Sequence, residues 1–517
     1  MKKLIRNSLL ITALAVIANV QADGDAHNQT YLNPRSHGVN LALENVNSWQ
    51  KMVHRTGANK KFNGNLQVIG YYQASSDSEE IGEYFAPATN PTTNSLKDNH
   101  FNFGSNAGNN AAANETLNYR NFVHQSANIT GADTELVKLA FNPKHRSFGV
   151  TLHHHQDLDK LCKGLYFKLN VPFVNVATRI DADFTEQYNA TTINFGTPVA
   201  ATSVTNALKT YFDGTGANTT AADTQAALQF LKFGNINNED HSSGLADIDF
   251  ILGYYFWYKD TSRVALNLGL TIPTGDEVKS TKLFEAIVGN GAHWAFGAGL
   301  DGSATMWQKN HHELSMHAAL NYRYLFENTE YRTLGLKGTD GTIIPWGHYQ
   351  LVGQITGAAT TLIPAANKLT VACDVTPGSQ LDGILGFAYH NRGFTIDLGY
   401  NLYYRTQEDV DRKGKTPIFG ELVGVVGAWG IVTPAATANN TGINAGEIQV
   451  PLTDSNITTD NAKTPSQLSH KIYAGLAYAA QGWDVPLFIG INTHYEWASD
   501  NAALSNWGIG AKAGIGF

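Results

Sequence analysis

The chain ends Ser505-Asn-Trp-Gly-Ile-Gly-Ala-Lys-Ala-Gly-Ile-Gly-Phe517. Read alternately, one set is Trp507, Ile509, Ala511, Ala513, Ile515 and Phe517. The other is Gly508, Gly510, Lys512, Gly514 and Gly516. Successive side chains of a strand point to opposite faces. The stretch therefore reads as a strand with one apolar face, aromatic at both ends, and one glycine face broken by a lysine. Alone it also suits an edge strand of a soluble sheet, so the rest of the chain must decide.

The same alternation recurs upstream. Leu66, Val68, Gly70 and Tyr72 alternate with Gln67, Ile69, Tyr71 and Gln73. Phe148, Val150 and Leu152 share a face. Leu165, Phe167, Leu169, Val171 and Phe173 oppose Tyr166, Lys168, Asn170, Pro172 and Val174. Pro172 has no ladder N–H, which predicts a bulge or a strand end beside it. Phe250, Leu252 and Tyr254 oppose Asp249, Ile251 and Gly253. Further segments follow near 264–272, 294–300, 314–326, 381–390, 394–405, 468–479 and 487–497. Each is about ten residues long, as a tilted membrane-barrel strand requires.

The connections alternate in length. Tight turns near 158–163, 259–262, 308–311, 391–393 and 480–486 alternate with five long loops near 75–145, 180–243, 274–292, 327–380 and 407–466. A helix is expected over 224–233, with Asp223 as N-cap and Gly234 as stop. The other long loops show no core-forming pattern. The segment 23–60 is polar and carries one short helix near 41–54, preceded by Asn40. It reads as lying under or inside a barrel mouth, or as disordered.

Composition agrees with alternating strands joined by polar loops. Charged residues make up 15% and aromatic residues 11%, with 49 Gly and only 15 Pro. The charged share is low against a usual value of about 25%. Mean hydropathy is −0.23, and beyond the N-terminus no apolar run approaches the roughly 20 residues of a membrane helix. Net charge is −8, with no basic run, so nucleic acid is not an expected partner. Residues 1–22 read as a secretory signal. Lys2, Lys3 and Arg6 precede a short apolar core, and Ala22 precedes the expected cut.

The closing strand with terminal Phe517 resembles that of Gram-negative outer-membrane β-barrels. The stretch Gly269-Leu-Thr-Ile-Pro-Thr-Gly275 resembles a strand end found in several outer-membrane channel families, among them transporters assigned to aromatic compounds. No narrower family is assigned. The resemblance implies an all-β, transmembrane, antiparallel up-and-down barrel over residues 61–517. It implies about twelve strands, short periplasmic turns and long external loops. It also implies an outer-membrane location, lipid contact, and assembly machinery that reads the strand ending at Phe517.

In lipid the apolar set must face outward and the polar set the lumen. The lumen set is then Lys168, Asp247, Asp249, Glu313, Arg323, Asp397, Arg405, Glu496 and Lys512. These charges either pair across the bore or line a water path. Cys162 falls in a periplasmic turn and Cys373 in an external loop. A hydrocarbon core about 30 Å thick separates ends that a disulfide must bring within about 7 Å, so two free thiols are expected.

No cofactor, metal or catalytic residue is expected. His153-His154-His155 cannot all face one ion from a strand. Neither G-x-S-x-G nor H-E-x-x-H occurs. The expected function is a porin-like channel for passive passage of small solutes. The alternatives are a surface adhesin or ligand-binding barrel acting through its loops, and an outer-membrane barrel hydrolase.

Overall fold

A computed structural model describes residues 25–36, 40–46, 63–87, 99–104, 116–118, 121–122, 127–129, 135–187, 193–195, 204–215, 229–259, 261–354, 362–414, 416–432, 448–480 and 486–517. Twelve antiparallel strands close into a barrel. They are β1 (Gly64–Ser75), β2 (Lys144–Asp157), β3 (Leu165–Arg179), β4 (Ile248–Lys259), β5 (Ser262–Ile272) and β6 (Ala295–Lys309), followed by β7 (His312–Leu325), β8 (Gly378–Asn391), β9 (Phe394–Arg405), β10 (Gln467–Ala480), β11 (Leu487–Ala498) and β12 (Asn506–Gly516). Closure comes from β12, which pairs with β1 from Asn65↔Gly516 to Ser75↔Asn506.

Alternation sorts the two faces. Val68, Leu152, Leu268, Leu398, Ile491 and Ile509 stand exposed on the outside. Gln67, Lys168, Asp249, Asn401 and Lys512 are buried on the inside. A soluble sheet would bury the first set and solvate the second. This barrel inverts that arrangement, which is the requirement of a wall set in hydrocarbon. Aromatic side chains ring both edges of the apolar band, where headgroups meet hydrocarbon. Trp294, Tyr322, Tyr324, Tyr495, Trp497 and Trp507 lie at one edge, and Phe256, Trp257, Tyr258, Trp307, Phe394 and Tyr478 at the other. The chain is an outer-membrane-type β-barrel.

Pro172 neither ends nor bulges its own strand. Against β2 the register runs unbroken through Thr151↔Pro172. The irregularity falls on the other neighbour. Asp249 pairs with Asn170, and Leu245, on the short strand Asp240–Leu245, pairs with Phe173. Three residues thus oppose two at the position that lacks an N–H, and the Pro172 carbonyl still accepts from Ala246 N.

The tight turns gather at one end and the long connections at the other. One connection at the loop end, 499–505, is short, so six connections cross there rather than the five expected. The described parts of the long connections fold into a cap with small sheets of its own. One comprises Asn328–Thr333, Thr370–Thr376 and Asp409–Arg412; another comprises Leu351–Gln354, Ile363–Pro364, Trp429–Val432 and Ile448–Leu452. Phe101, Phe103, Phe141, Phe212, Trp346 and Tyr349 meet in the larger cap core. Trp346 stacks on Phe141 at 5.6 Å. Leu334, Val352, Cys373, Val410 and Leu452 form a second core.

The expected helix over 224–233 is not found in its described part. Residues 221–228 lie outside the described residues, and 229–233 are not helical. The helix described in that connection is instead Val204–Phe212. Near the N-terminus, helix α1 covers only Leu41–Asn45. Asn40 caps it, accepting from Leu43 N at 3.2 Å, but Val46 turns extended. The remainder of the expected 41–54 helix lies outside the described residues. Cys162 is exposed at the turn end and Cys373 is buried in the cap, both as free thiols.

Candidate functional site: a lumen filled by the N-terminal segment

Residues 25–36 lie in the cap and at the mouth of the bore, and residues 40–46 lie in the bore. Thr30 Oγ1 donates to the Thr333 carbonyl at 2.7 Å, and Asn33 Nδ2 donates to Glu408 Oε1 at 2.9 Å. Arg35 then reaches the barrel wall. Its Nη2 lies 3.0 Å from Asp382 Oδ2, and its Nη1 lies 3.1 Å from Glu496 Oε1 and 3.0 Å from Asn401 Oδ1. Deeper in the bore, α1 brings Glu44 Oε1 to 3.0 Å from Lys168 Nζ. Lys512 Nζ donates to the carbonyls of Glu44 and Val46, each at 2.9 Å. The Glu44 carbonyl lies in the last turn of the helix, where no intrahelical N–H is left to serve it, and the Val46 carbonyl lies at its C-cap. Apolar contacts complete the seat. Leu41 packs on Ala319 and Ile384, and Ala42 and Val46 pack on Tyr473.

The sequence-expected residues are buried or nearly so. Lys168, Glu496 and Lys512 hold the N-terminal segment or the groups around it. Asp249 accepts from Thr271 Oγ1 at 2.6 Å and pairs with Arg323 Nη1 at 3.1 Å. Asp247 faces Ser36 Oγ at 3.5 Å. Asp397 is buried on β9. Arg405 Nη2 donates to the Asn33 carbonyl at 3.0 Å. Glu313, near the turn end, accepts from Thr305 Oγ1 at 2.9 Å. Pairing within the wall, which Asp249 and Arg323 show, is thus only part of the pattern. The partners that sequence reading missed are Arg35 and Glu44, from a segment with no strand period. Asp382 and Lys471 were missed too, although each shares the inward phase of its strand with residues such as Ile384 and Tyr473.

Where the cap meets the barrel lies a fully buried charge cluster. Glu330 pairs with Arg332 at 2.6 Å and with His293 Nε2 at 2.9 Å. Arg332 Nη1 reaches Glu408 Oε2 at 3.2 Å, and its guanidinium stacks 3.5 Å above the Tyr31 ring. Burial alone would raise the Glu408 carboxyl. The Arg332 and Arg405 guanidiniums, the Asn33 amide and the Thr464 N–H outweigh burial and hold it at about 2. The cluster clasps Tyr31 and Asn33, and so fixes the point where the N-terminal segment enters the bore.

The three consecutive histidines separate as strand geometry requires. His153 Nδ1 lies 2.5 Å from Asn170 Oδ1, and His155 Nε2 lies 3.2 Å from Asp157 Oδ1. His154 faces outward against Phe167 and Phe517. Among the described residues no three metal-ligating side chains converge. Beside Arg35 a cavity of about 40 Å³ remains, against the roughly 10–15 Å³ that one water needs. A wider hollow of about 230 Å³ opens at the turn end, lined by residues such as Glu313, His390 and Arg392.

No protein-family model matches the chain, and no curated protein matches it. Solved structures share the barrel architecture. An outer membrane channel from Pseudomonas putida F1 is 9% identical over 88% of this chain and 96% of that one, with a TM-score of 0.36. A FadL homologue from Pseudomonas aeruginosa is 8% identical over 88% and 90%, with a TM-score of 0.27. A deletion mutant of the monoaromatic hydrocarbon channel TodX is 9% identical over 95% and 97%, with a TM-score of 0.31. At these values the likeness carries no argument about this chain, whose fold rests on its own strand pairing.

Proposed function

We propose that the protein is an outer-membrane channel for small solutes, held shut here by residues 25–46 and the cap. One observation carries the reading. Part of the charged inward wall is matched by a separate stretch of chain, beside the pairs that the wall makes within itself. A barrel serving only as an anchor has no need of a polar bore with a removable filling. In the channel reading, Lys168, Asp247, Asp249, Arg323, Asp397, Arg405, Glu496 and Lys512 line the path once the segment leaves. The cap faces the outside and the turns face the periplasm. Phe517 closes the sheet at the periplasmic rim, where its N–H and carbonyl exchange hydrogen bonds of 3.0 Å with Gly64. It is read there as part of the assembly signal.

Deletion of residues 25–46 tests the reading in planar bilayers. The intact chain should be silent or conduct in rare, brief steps. The deletion variant, once shown to be a folded barrel by heat-modifiable gel migration, should give sustained stepwise conductance. A folded variant that stays silent sinks the channel reading.

A further inference from the structure

Arg35 sits in a site that the barrel wall builds completely without it. Its guanidinium meets two carboxylates, Asp382 and Glu496, and the Asn401 amide oxygen, at 3.0 to 3.1 Å. The Tyr403 ring lies 4.5 Å from its central carbon. These are the elements that recognise a planar organic cation: paired acceptors for charge-assisted hydrogen bonds and an aromatic face. The four wall residues come from three strands, β8, β9 and β11, and all are buried.

A second layer holds these groups in place. Lys471 Nζ lies 2.9 Å from Glu496 Oε2. Ser469 Oγ and Asn506 Nδ2 donate to the same carboxylate at 2.6 and 3.1 Å. Asn401 Nδ2 donates to Asp382 Oδ1 at 2.5 Å. The site therefore does not depend on Arg35 for its shape. Its charge balance does depend on Arg35. Among the described residues, Asp382 and Glu496 against Lys471 leave one net negative charge for Arg35 to meet, and leaving such a charge buried without a partner is strongly unfavourable. When the N-terminal segment withdraws, a monocation is the natural replacement. The cavity beside Arg35 adjoins the site through Tyr403, Lys471 and Glu496, so the replacement can be somewhat bulkier than a guanidinium.

We propose that Asp382, Asn401, Tyr403 and Glu496 form a recognition box for guanidinium- or ammonium-bearing solutes, which Arg35 occupies in the closed barrel. The proposal rests on the channel reading and adds the solute class. Arg35 is then a tethered stand-in for the solute, and solute and N-terminal segment compete for one site.

Chemical rescue tests it. The full chain carrying Arg35→Ala is heated in detergent, and its barrel-to-unfolded transition is followed by gel migration during titration with ethylguanidinium or with sodium at equal ionic strength. Ethylguanidinium should raise the transition temperature of the variant at millimolar concentration and leave the wild type unmoved, because its box is full. Adding Asp382→Asn should raise the concentration needed by at least about tenfold, the loss of one charge-assisted bond. Arg35→Gln replaces the alanine variant if that one does not assemble. A variant that responds no more than the wild type, or equally to sodium, overturns the box. The readout is binding, so the two readings fail separately. A silent barrel that binds ethylguanidinium loses only its channel role, and a conducting barrel that ignores it loses only the box.

Discussion

At the scale of single residues, burial turns modest sequence features into strong constraints. Glu408 and Glu330 would be ordinary loop carboxylates by sequence. In the fold they have no exposed side-chain surface and share Arg332. The depressed Glu408 carboxyl gives this junction a pH dependence with a definite sign. An unfolded glutamate titrates near about 4.3, whereas the folded group titrates at about 2. Its stabilising contribution is therefore complete above about pH 4.3 and is lost as pH falls towards 2. Near-ultraviolet circular dichroism of the cap aromatics should hold down to about pH 4 and decay below pH 3. Glu408→Gln should lose cap signal already at neutral pH, because it leaves Arg332 short of a buried partner, a change worth about 3–5 kcal/mol. A variant with the wild-type profile would remove Glu408 from the clasp. The charge of these residues was legible in the sequence, but their partnership was not, because all but the neighbours Glu330 and Arg332 come from distant positions, Glu408 lying 76 residues from Arg332 and 375 from Asn33.

At the scale of elements, the inward glycines of the wall make room for tyrosines. A side chain at Gly253 would fall within the Tyr166 ring, and one at Gly399 within the Tyr473 ring. Each tyrosine lies flat over a neighbouring strand. Tyr473 also touches Ala42 and Val46 of the N-terminal segment. Gly399→Ala should therefore displace Tyr473, cost about 1–3 kcal/mol of barrel stability, and lengthen open events in bilayers. Gly70→Ala is the matched control, because nothing lies within 4 Å of its position. Equal effects of the two substitutions on melting and gating would refute this role for Tyr473. The strands were the most legible part of the chain. Their period of two survives in sequence because one face meets lipid and the other polar groups. Pro172 was legible as an irregularity but not its side, because a missing N–H does not say which neighbour loses the bond.

At the scale of the whole molecule, the barrel could be read and the cap could not. The barrel follows from local alternation repeated along the chain. The cap core gathers Phe101, Phe141, Phe212, Trp346 and Leu362 from distant connections, each contributing pieces too short to show a period. The filling of the bore was legible only as far as Asn40 and a short helix, since Arg35 and Glu44 take their roles from walls formed far along the chain.

The central claim, that residues 25–46 close the bore by occupying it, can be tested reversibly within one protein. Leu41 packs against Ala319 on β7, so L41C/A319C, with Cys162→Ser to remove the exposed thiol, is the pair designed to cross-link segment and wall, its bond verified by mass mapping. Single-channel recording across reduction of that bond is the deciding measurement. The account predicts a silent oxidised barrel that begins stepwise conduction when reductant is added and falls silent on reoxidation. Equal conductance in the two states would show that the segment does not close the channel.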